Sequence, residues 1–441
     1  MKRKSNAREN FLQRRYGVRL GRRYVLTAAS VVLMGVIGCS QIGNNTSAYA
    51  QTNLLRSESP MSKQSSTPDD KLVNANTKFG FKLFSEVLNQ ESDRNIFVSP
   101  SSVSIALAMT YNGASGSTRE AMTKALELQG LTLQQINSSN AALKKSLENS
   151  DPFVKLTIAN SLWVNREASL DREFIRRNQD FYTARIANLN FKDANAPSII
   201  NSWVNDSTEG KINKIVERIE TDQVLFLINA IYFKGRWSDE FDKDQTSDRP
   251  FYLVSGQQKQ HPMMSQRGDY RYYENQQFQA ISLPYGKDGN VSFYIFLPKE
   301  TSSLKSFYQN LSAENWDNWM SQFSKREGFV RLPRFKMDYD ITLNKALTAL
   351  GMGEAFSNKA NFSAMGKNLK ISEVKHKTFL EVNEEGTEAA AATSVGIVPL
   401  SAKVPSEEPF SMIVNRPFFC TIRDNRTGSI LFMGSIVEPL S

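Results

Sequence analysis

The chain of 441 residues has only two histidines, His261 and His376, and two cysteines, Cys39 and Cys420. Any Ser-His or Cys-His nucleophilic site would have to use one of those two imidazoles. His261 sits in Gln260-His261-Pro262-Met263 with no carboxylate beside it. His376 lies on a strand pattern in phase with Leu380 and Val382, which points it inward as a hydrogen-bonded core histidine. A hydrolase is disfavoured on this count. Two histidines and one spare cysteine offer no metal-ligand spacing, and no phosphate-cradling glycine loop is present, so no metal or cofactor is expected. No internal repeat occurs and no apolar run is long enough to span a bilayer comfortably.

The formal net charge of +9 is confined to one end. Residues 1–38 hold nine of the 54 basic residues and only one of the 45 acidic ones, Glu9, leaving 45 against 44 in the remainder. A basic leader on a neutral body points to export rather than to nucleic acid. Tyr24 to Gly38 is an apolar run of fifteen residues. It ends in Val36-Ile37-Gly38-Cys39, which resembles a bacterial lipobox with Cys39 as the lipidated first residue of the mature chain. Arg22-Arg23-Tyr24-Val25-Leu26 resembles a twin-arginine export signal, and Ala48-Tyr49-Ala50 offers an alternative cleavage site for plain secretion. The expected location is therefore outside the cytoplasm, either lipid-anchored at the cell envelope or secreted. With Cys39 lipidated or removed, Cys420 stands alone, so no intramolecular disulfide forms and Cys420 reads as a small buried hydrophobe.

Residues 39–71 are rich in Ser, Asn, Gln and Thr without periodicity, the composition of a disordered, solvated tether. A folded domain is expected over 72–441. It opens with Leu72, Phe79, Leu83 and Val87 at helical spacing, and Leu107, Tyr111, Met122 and Leu126 predict further helices around Asn112-Gly113-Ala114-Ser115-Gly116. Leu225 to Phe233 reads as a strand buried on both faces, Val291 to Leu297 as a strand stopped by Pro298, and Arg423 to Gly428 as a hairpin turn. Arg267-Gly268-Asp269 spells an adhesion tripeptide short enough to recur by chance, and the bases around Arg267 and Arg271 read as a solvated surface.

The most informative segment runs from Glu384 to Ile397. Thr387, Ala389, Ala391, Thr393, Val395 and Ile397 share one face at period two, all small or apolar. Local propensity favours a poly-Ala helix capped at Thr387. The strand pattern of His376, Thr378, Leu380 and Val382 runs straight into this segment and reverses that preference. Pro399, Pro405 and Pro409 follow, a composition suited to an exposed loop. A segment patterned as a strand but placed at a loop suggests two conformations.

This arrangement resembles the reactive-centre loop of serpins, the serine protease inhibitors. Four further stretches carry the resemblance: Asn95 to Val103; Asn201-Ser202-Trp203-Val204 with Thr208 to Ile212; Asn229 to Trp237; and Asn415-Arg416-Pro417-Phe418 with Ile430 to Gly434. Glu438-Pro439 departs from the Asn-Pro common near the family's end. The resemblance implies a mixed α+β serpin fold with a large central β-sheet, further sheets, eight or nine helices and an exposed reactive-centre loop over about residues 384–409. It implies a hinge of Glu384, Gly386, Thr387, Glu388, Ala389, Ala390, Ala391 and Ala392. It also implies a polar shutter of Ser99, Ser102, Asn229 and His376 beneath the sheet, and a breach where Trp237 lies beside a Glu384–Arg334 pair.

Counting from Glu384, the resemblance places the bait at Leu400 and the scissile bond at Leu400–Ser401. Leucine suits serine proteases with an apolar pocket, of chymotrypsin, elastase or subtilisin type; a trypsin-like target would need Lys403 and a longer hinge. The implied activity is suicide inhibition by a monomer that is not itself an enzyme, with no nucleic-acid partner and no membrane contact except through Cys39. A non-inhibitory carrier is the alternative, against which the small residues 389–392 argue.

Overall fold

The computed structural model describes residues 67–91, 94–387 and 408–440. Cys39, the hinge residues Glu388 to Ala392 and the expected bond Leu400–Ser401 lie outside them. The first part of the chain forms α1 (Asp70–Gln90), β1 (Ile96–Val98), α2 (Pro100–Tyr111), α3 (Gly116–Ala125), α4 (Leu133–Glu148), β2 (Val154–Asn165), α5 (Arg172–Tyr182), β3 (Arg185–Leu189) and α6 (Ala196–Ser207). The middle forms β4 (Leu225–Arg236), β5 (Ser247–Tyr252), β6 (Gln258–Glu274), β7 (Phe278–Tyr285), β8 (Val291–Pro298), α7 (Leu304–Gln309) and α8 (Ala313–Gln322). The last part forms β9 (Ser324–Pro333), β10 (Phe335–Thr342), α9 (Asn344–Leu347), β11 (Glu373–Asn383), β12 (Gly386–Thr387), β13 (Phe410–Ile413), β14 (Phe418–Asp424) and β15 (Ile430–Ile436).

The strands make two sheets. One runs β1-β15-β14-β8-β7-β6-β9-β13 with β5 on β6; the other, which carries the site, runs β10-β11-β12-β4-β2-β3. The long apolar run of β4 is explained by burial on both faces. Leu225, Leu227, Ile231 and Phe233 join the large core that also holds α1 and α2. Phe226, Ile228, Ala230 and Tyr232 join a second core under α6, built on Ile200, Val204 and Phe379. Asn229, on the first of these faces, is the polar exception. α2 is buried along its whole length, with Pro100 at its first turn.

The expected helices, the β8 strand and the β14–β15 hairpin are all present. One boundary shifts. The Asp69 carboxylate caps α1 by accepting from the Lys71 N–H at 2.8 Å, and the Asp69 N–H donates to Ser139 Oγ. Asp70 and Lys71 are therefore helical, so α1 begins before Leu72. Glu438, where the chain departs from the family pattern, forms an ion pair with Lys259 at 2.8 Å.

Candidate functional site

β4 and β11 are parallel neighbours from Phe226 opposite Glu373 up to Tyr232 opposite Phe379. Above that level they part, and β12 fills the fork. Gly386 and Thr387 pair with Asn383 and Val382 of β11 on one side and with Arg236 and Gly235 of β4 on the other. The segment that local propensity would have made a helix cap thus begins as a strand, because both flanking edges offer unpaired backbone groups.

Side-chain volume decides which residue can make this turn. Gly386 has φ +142°, and a Cβ there would lie 2.1 Å from the Gly235 carbonyl oxygen and 2.8 Å from Arg236 Cα. Only glycine fits. Thr387 is fully buried, and its Oγ1 lies 2.6 Å from Tyr285 Oη.

Around the fork, Trp237 is buried and stacks on Tyr285, with ring centroids 4.4 Å apart. Its Nε1 donates to the Asn383 carbonyl at 2.9 Å, and its backbone N–H donates to the Glu385 carbonyl. The Phe241 N–H donates to the Glu384 carbonyl at 2.8 Å. The Glu384 side chain, itself buried, accepts from Thr246 Oγ1 at 2.7 Å and lies 3.6 Å from Arg334 Nε. Arg334 is about half exposed (47%), so solvent screens that pair and the Thr246 hydrogen bond holds the carboxylate more firmly. Lys243 pairs with Glu385. The structure therefore brings Trp237, Glu384 and Arg334 together. Tyr285, Thr246, Lys243 and Phe241 are additional; no local pattern marks them, since they meet the hinge only through the fold.

Lower on the same face, His376, Asn229, Ser99 and Ser102 form one buried cluster. His376 Nε2 accepts from the Ser99 backbone N–H at 3.0 Å, so Nδ1 carries the proton and donates to Asn229 Oδ1 at 2.6 Å. Asn229 Nδ2 donates to Ser102 Oγ and to Asn160 Oδ1, each at 2.6 Å. Asn160 is a member that sequence reasoning missed. Ser99 acts through its backbone, not its hydroxyl. With its Nε2 held by an amide, His376 has no serine or cysteine hydroxyl or thiol to activate. His261 is also buried, against the Arg334 carbonyl. Cys420 is fully buried on β14, and burial pushes its thiol pKa up, so it is an unreactive apolar side chain.

Burial pushes the His376 pKa down to about 3, from an ordinary value near 6.5. The neutral ring is favoured by the fold, so its contribution to stability is complete above pH ~6.5 and is lost progressively as pH falls toward 3. The full shift corresponds to a few kcal/mol. Thermal melts of the intact protein between about pH 7.5 and pH 4.5 should show this slope, and His376→Gln should flatten it. Parallel profiles for the two proteins would rule out His376 as the titrating group.

Two parallel strands part to take in Gly386 and Thr387 above a buried polar cluster. A family model described as Serpin (serine protease inhibitor) matches residues 74–439, and the chain belongs to that family. Its members are protease inhibitors rather than catalysts. Bovine leukocyte elastase inhibitor is 36% identical over 385 residues, covering 84% of this chain and 100% of the relative. An uncharacterised serpin-like protein of Thermococcus kodakarensis is 35% identical over 373 residues, covering 83% of this chain and 86% of the relative. The native state of the thermophilic serpin tengpin matches with a TM-score of 0.77 at 34% identity, over 84% of this chain and 95% of the other. Human thyroxine-binding globulin complexed with its hormone matches with a TM-score of 0.78 at 28% identity, over 84% and 99%.

Proposed function

We propose that the protein is a suicide inhibitor of serine proteases with an apolar specificity pocket, cleaved at Leu400–Ser401. The protease serine attacks the Leu400 carbonyl, Ser401 leaves with the new amine, and the enzyme is held as an acyl ester. The freed segment 387–400 then enters the fork as a new central strand. Fourteen residues at roughly 3.3 Å each carry the ester about 45 Å. That displacement distorts the enzyme before water can release it.

The observation that carries this reading is the register of Gly386 and Thr387. Continued one residue at a time along β4 and β11, the two registers agree at every level. Ala389 falls between the bulky Phe233 and Leu380, where a small side chain is required. Thr393 falls between Asn229 and His376, the level of the buried polar cluster, and brings a hydroxyl there. Val395 falls between Leu227 and Val374, and Ile397 reaches Leu225, the first residue of β4. Small, polar and apolar residues of the loop thus alternate as the face they would join demands. The even residues Glu388, Ala390, Ala392 and Ser394 would face the other way.

In this scheme Glu384, Trp237 and Arg334 hold the top of the fork, Glu388 to Ala392 continue the hinge, and His376, Asn229, Ser99 and Ser102 lock the closed sheet below. Leukocyte elastase inhibitor, by its name, acts on an enzyme of the proposed class. Thyroxine-binding globulin represents the alternative, a carrier. Incubation with chymotrypsin, elastase and subtilisin separates the two. An inhibitor yields a denaturant-stable conjugate and a small C-terminal fragment beginning at Ser401. Cleavage with no conjugate for any of the three enzymes overturns the inhibitor reading.

The same proposal places the protein outside the cytoplasm as a monomer with no cofactor, tethered through a lipid on Cys39. Cys39→Ser should move the protein from the membrane fraction to the soluble one. Unchanged fractionation would leave plain secretion, with cleavage near Ala50.

A further inference from the structure

β13 carries the chain back into the fold directly after the bait segment, in parallel register with Gly328 to Arg331 of β9. The outer face at this edge has an unusual composition. Phe329 lies opposite Arg267 of β6, and Arg331 lies opposite Ser265. The Arg267 guanidinium is 5.4 Å from the centre of the Phe329 ring, and the Arg331 guanidinium is 5.2 Å from it. Ile413, one of the few large apolar side chains exposed at 36%, lies opposite Arg331 on the other side.

Two guanidinium groups share one ring, and neither meets a carboxylate among the described residues. Arg331 Nε donates to Ser265 Oγ at 3.2 Å. Burial lowers the Arg331 pKa, and the nearby charge of Arg249 lowers it further. The carboxylates on the same face, Asp269 and Glu327, lie opposite each other further along, and Asp269 is taken by Lys325 at 3.0 Å. Planar cations held by an aromatic ring beside exposed apolar area, with no carboxylate among the described residues paired to either, are what an acidic protein surface would complete.

We infer that Arg267 and Arg331, with Phe329 and Ile413, form a secondary docking surface for the acidic rim of a serine protease bound at Leu400. This rests on the inhibitor reading. Leu400 is ten residues before Phe410, so the bait lies within roughly 35 Å of β13 even when extended. A protease domain of about 230 residues is about 45 Å across. An enzyme engaged at the bait is therefore large enough to reach this face. Its acidic side chains would be steered to the patch before the cleft closes on the loop, which raises the rate of association more than the final affinity.

The test uses the intact protein and an Arg267→Ala/Arg331→Ala variant against a panel of apolar-pocket serine proteases spanning negative to positive net charge. Association rates are measured at about 0.05 M and about 0.5 M salt. For the negatively charged enzymes the variant should associate about tenfold more slowly at low salt, with a shallower salt dependence. For the positively charged ones its rate should be unchanged or higher. Arg267→Glu/Arg331→Glu, at positions outside the hydrophobic core, should reverse the preference. Conjugates that form at equal rates with all three proteins would overturn the docking surface and leave the inhibitor reading standing. If none of the panel forms a conjugate with the unaltered protein, both fail.

Discussion

Thr387→Arg should convert the inhibitor into a substrate: proteases would cut the loop and be released, with little or no conjugate formed. Thr387 is fully buried between β4 and β11, and its hydroxyl is bonded to Tyr285. A guanidinium at this position would face the Tyr285 ring and the buried Trp237 stacked on it, with no carboxylate at its level of the sheet. Burying an unpaired charge costs several kcal/mol. Each 1.4 kcal/mol added to the barrier slows insertion about tenfold, so a hundredfold delay is a conservative expectation. Hydrolysis of the acyl ester would then outrun translocation. The readout is the molar ratio of inhibitor consumed to protease trapped, which should rise at least about tenfold. Thr387→Ser, which keeps the hydroxyl and the small volume, should trap normally. A Thr387→Arg protein that still traps protease at an unchanged ratio would exclude insertion through this fork.

Cleavage at Leu400–Ser401 should make the protein markedly harder to melt. In the intact chain Gly386 and Thr387 occupy the top of the gap, and Phe410 to Ile413 hold the chain on β9. Cutting removes that constraint. Residues 388–397 can then pair on two edges at once, and Val395 and Ile397 can bury side chains worth about 1.5–3 kcal/mol each. Ordering these residues costs backbone entropy, and the second ladder is what tips the balance. Unfolding entropies of about 2.1 cal/mol/K per residue over roughly 370 residues make each kcal/mol worth about 1.3 °C. A rise in melting temperature of about 10 °C or more is expected, equivalent to roughly 8 kcal/mol. Equal midpoints for the cut and uncut proteins would show that the intact fold stores no energy for trapping.

Much of the site could be read from residue order because the relevant constraints are local and periodic. The alternation of β11 and the double-faced apolar run of β4 each follow from which sheet face a residue meets. Family resemblance then supplied the grouping of Glu384 with Arg334 and of His376 with Asn229, Ser99 and Ser102. Tyr285, Thr246, Lys243 and Asn160 escaped notice because nothing in their own neighbourhoods distinguishes them from ordinary strand and loop residues. Arg267 looked like a solvated base for the same reason: its ring partner Phe329 and its neighbour Arg331 lie on another strand, more than sixty residues away.

Residue order alone determined that this chain carries a strand-patterned segment inside a loop, few groups able to do chemistry, and a basic leader on a neutral body. Only the tertiary structure decided that Gly386 and Thr387 sit between β4 and β11, opposite Asn383 and Val382 on one side and Arg236 and Gly235 on the other. Register is a relation between strands distant in sequence, set by how their side chains and backbone edges meet in space, and no single strand contains it.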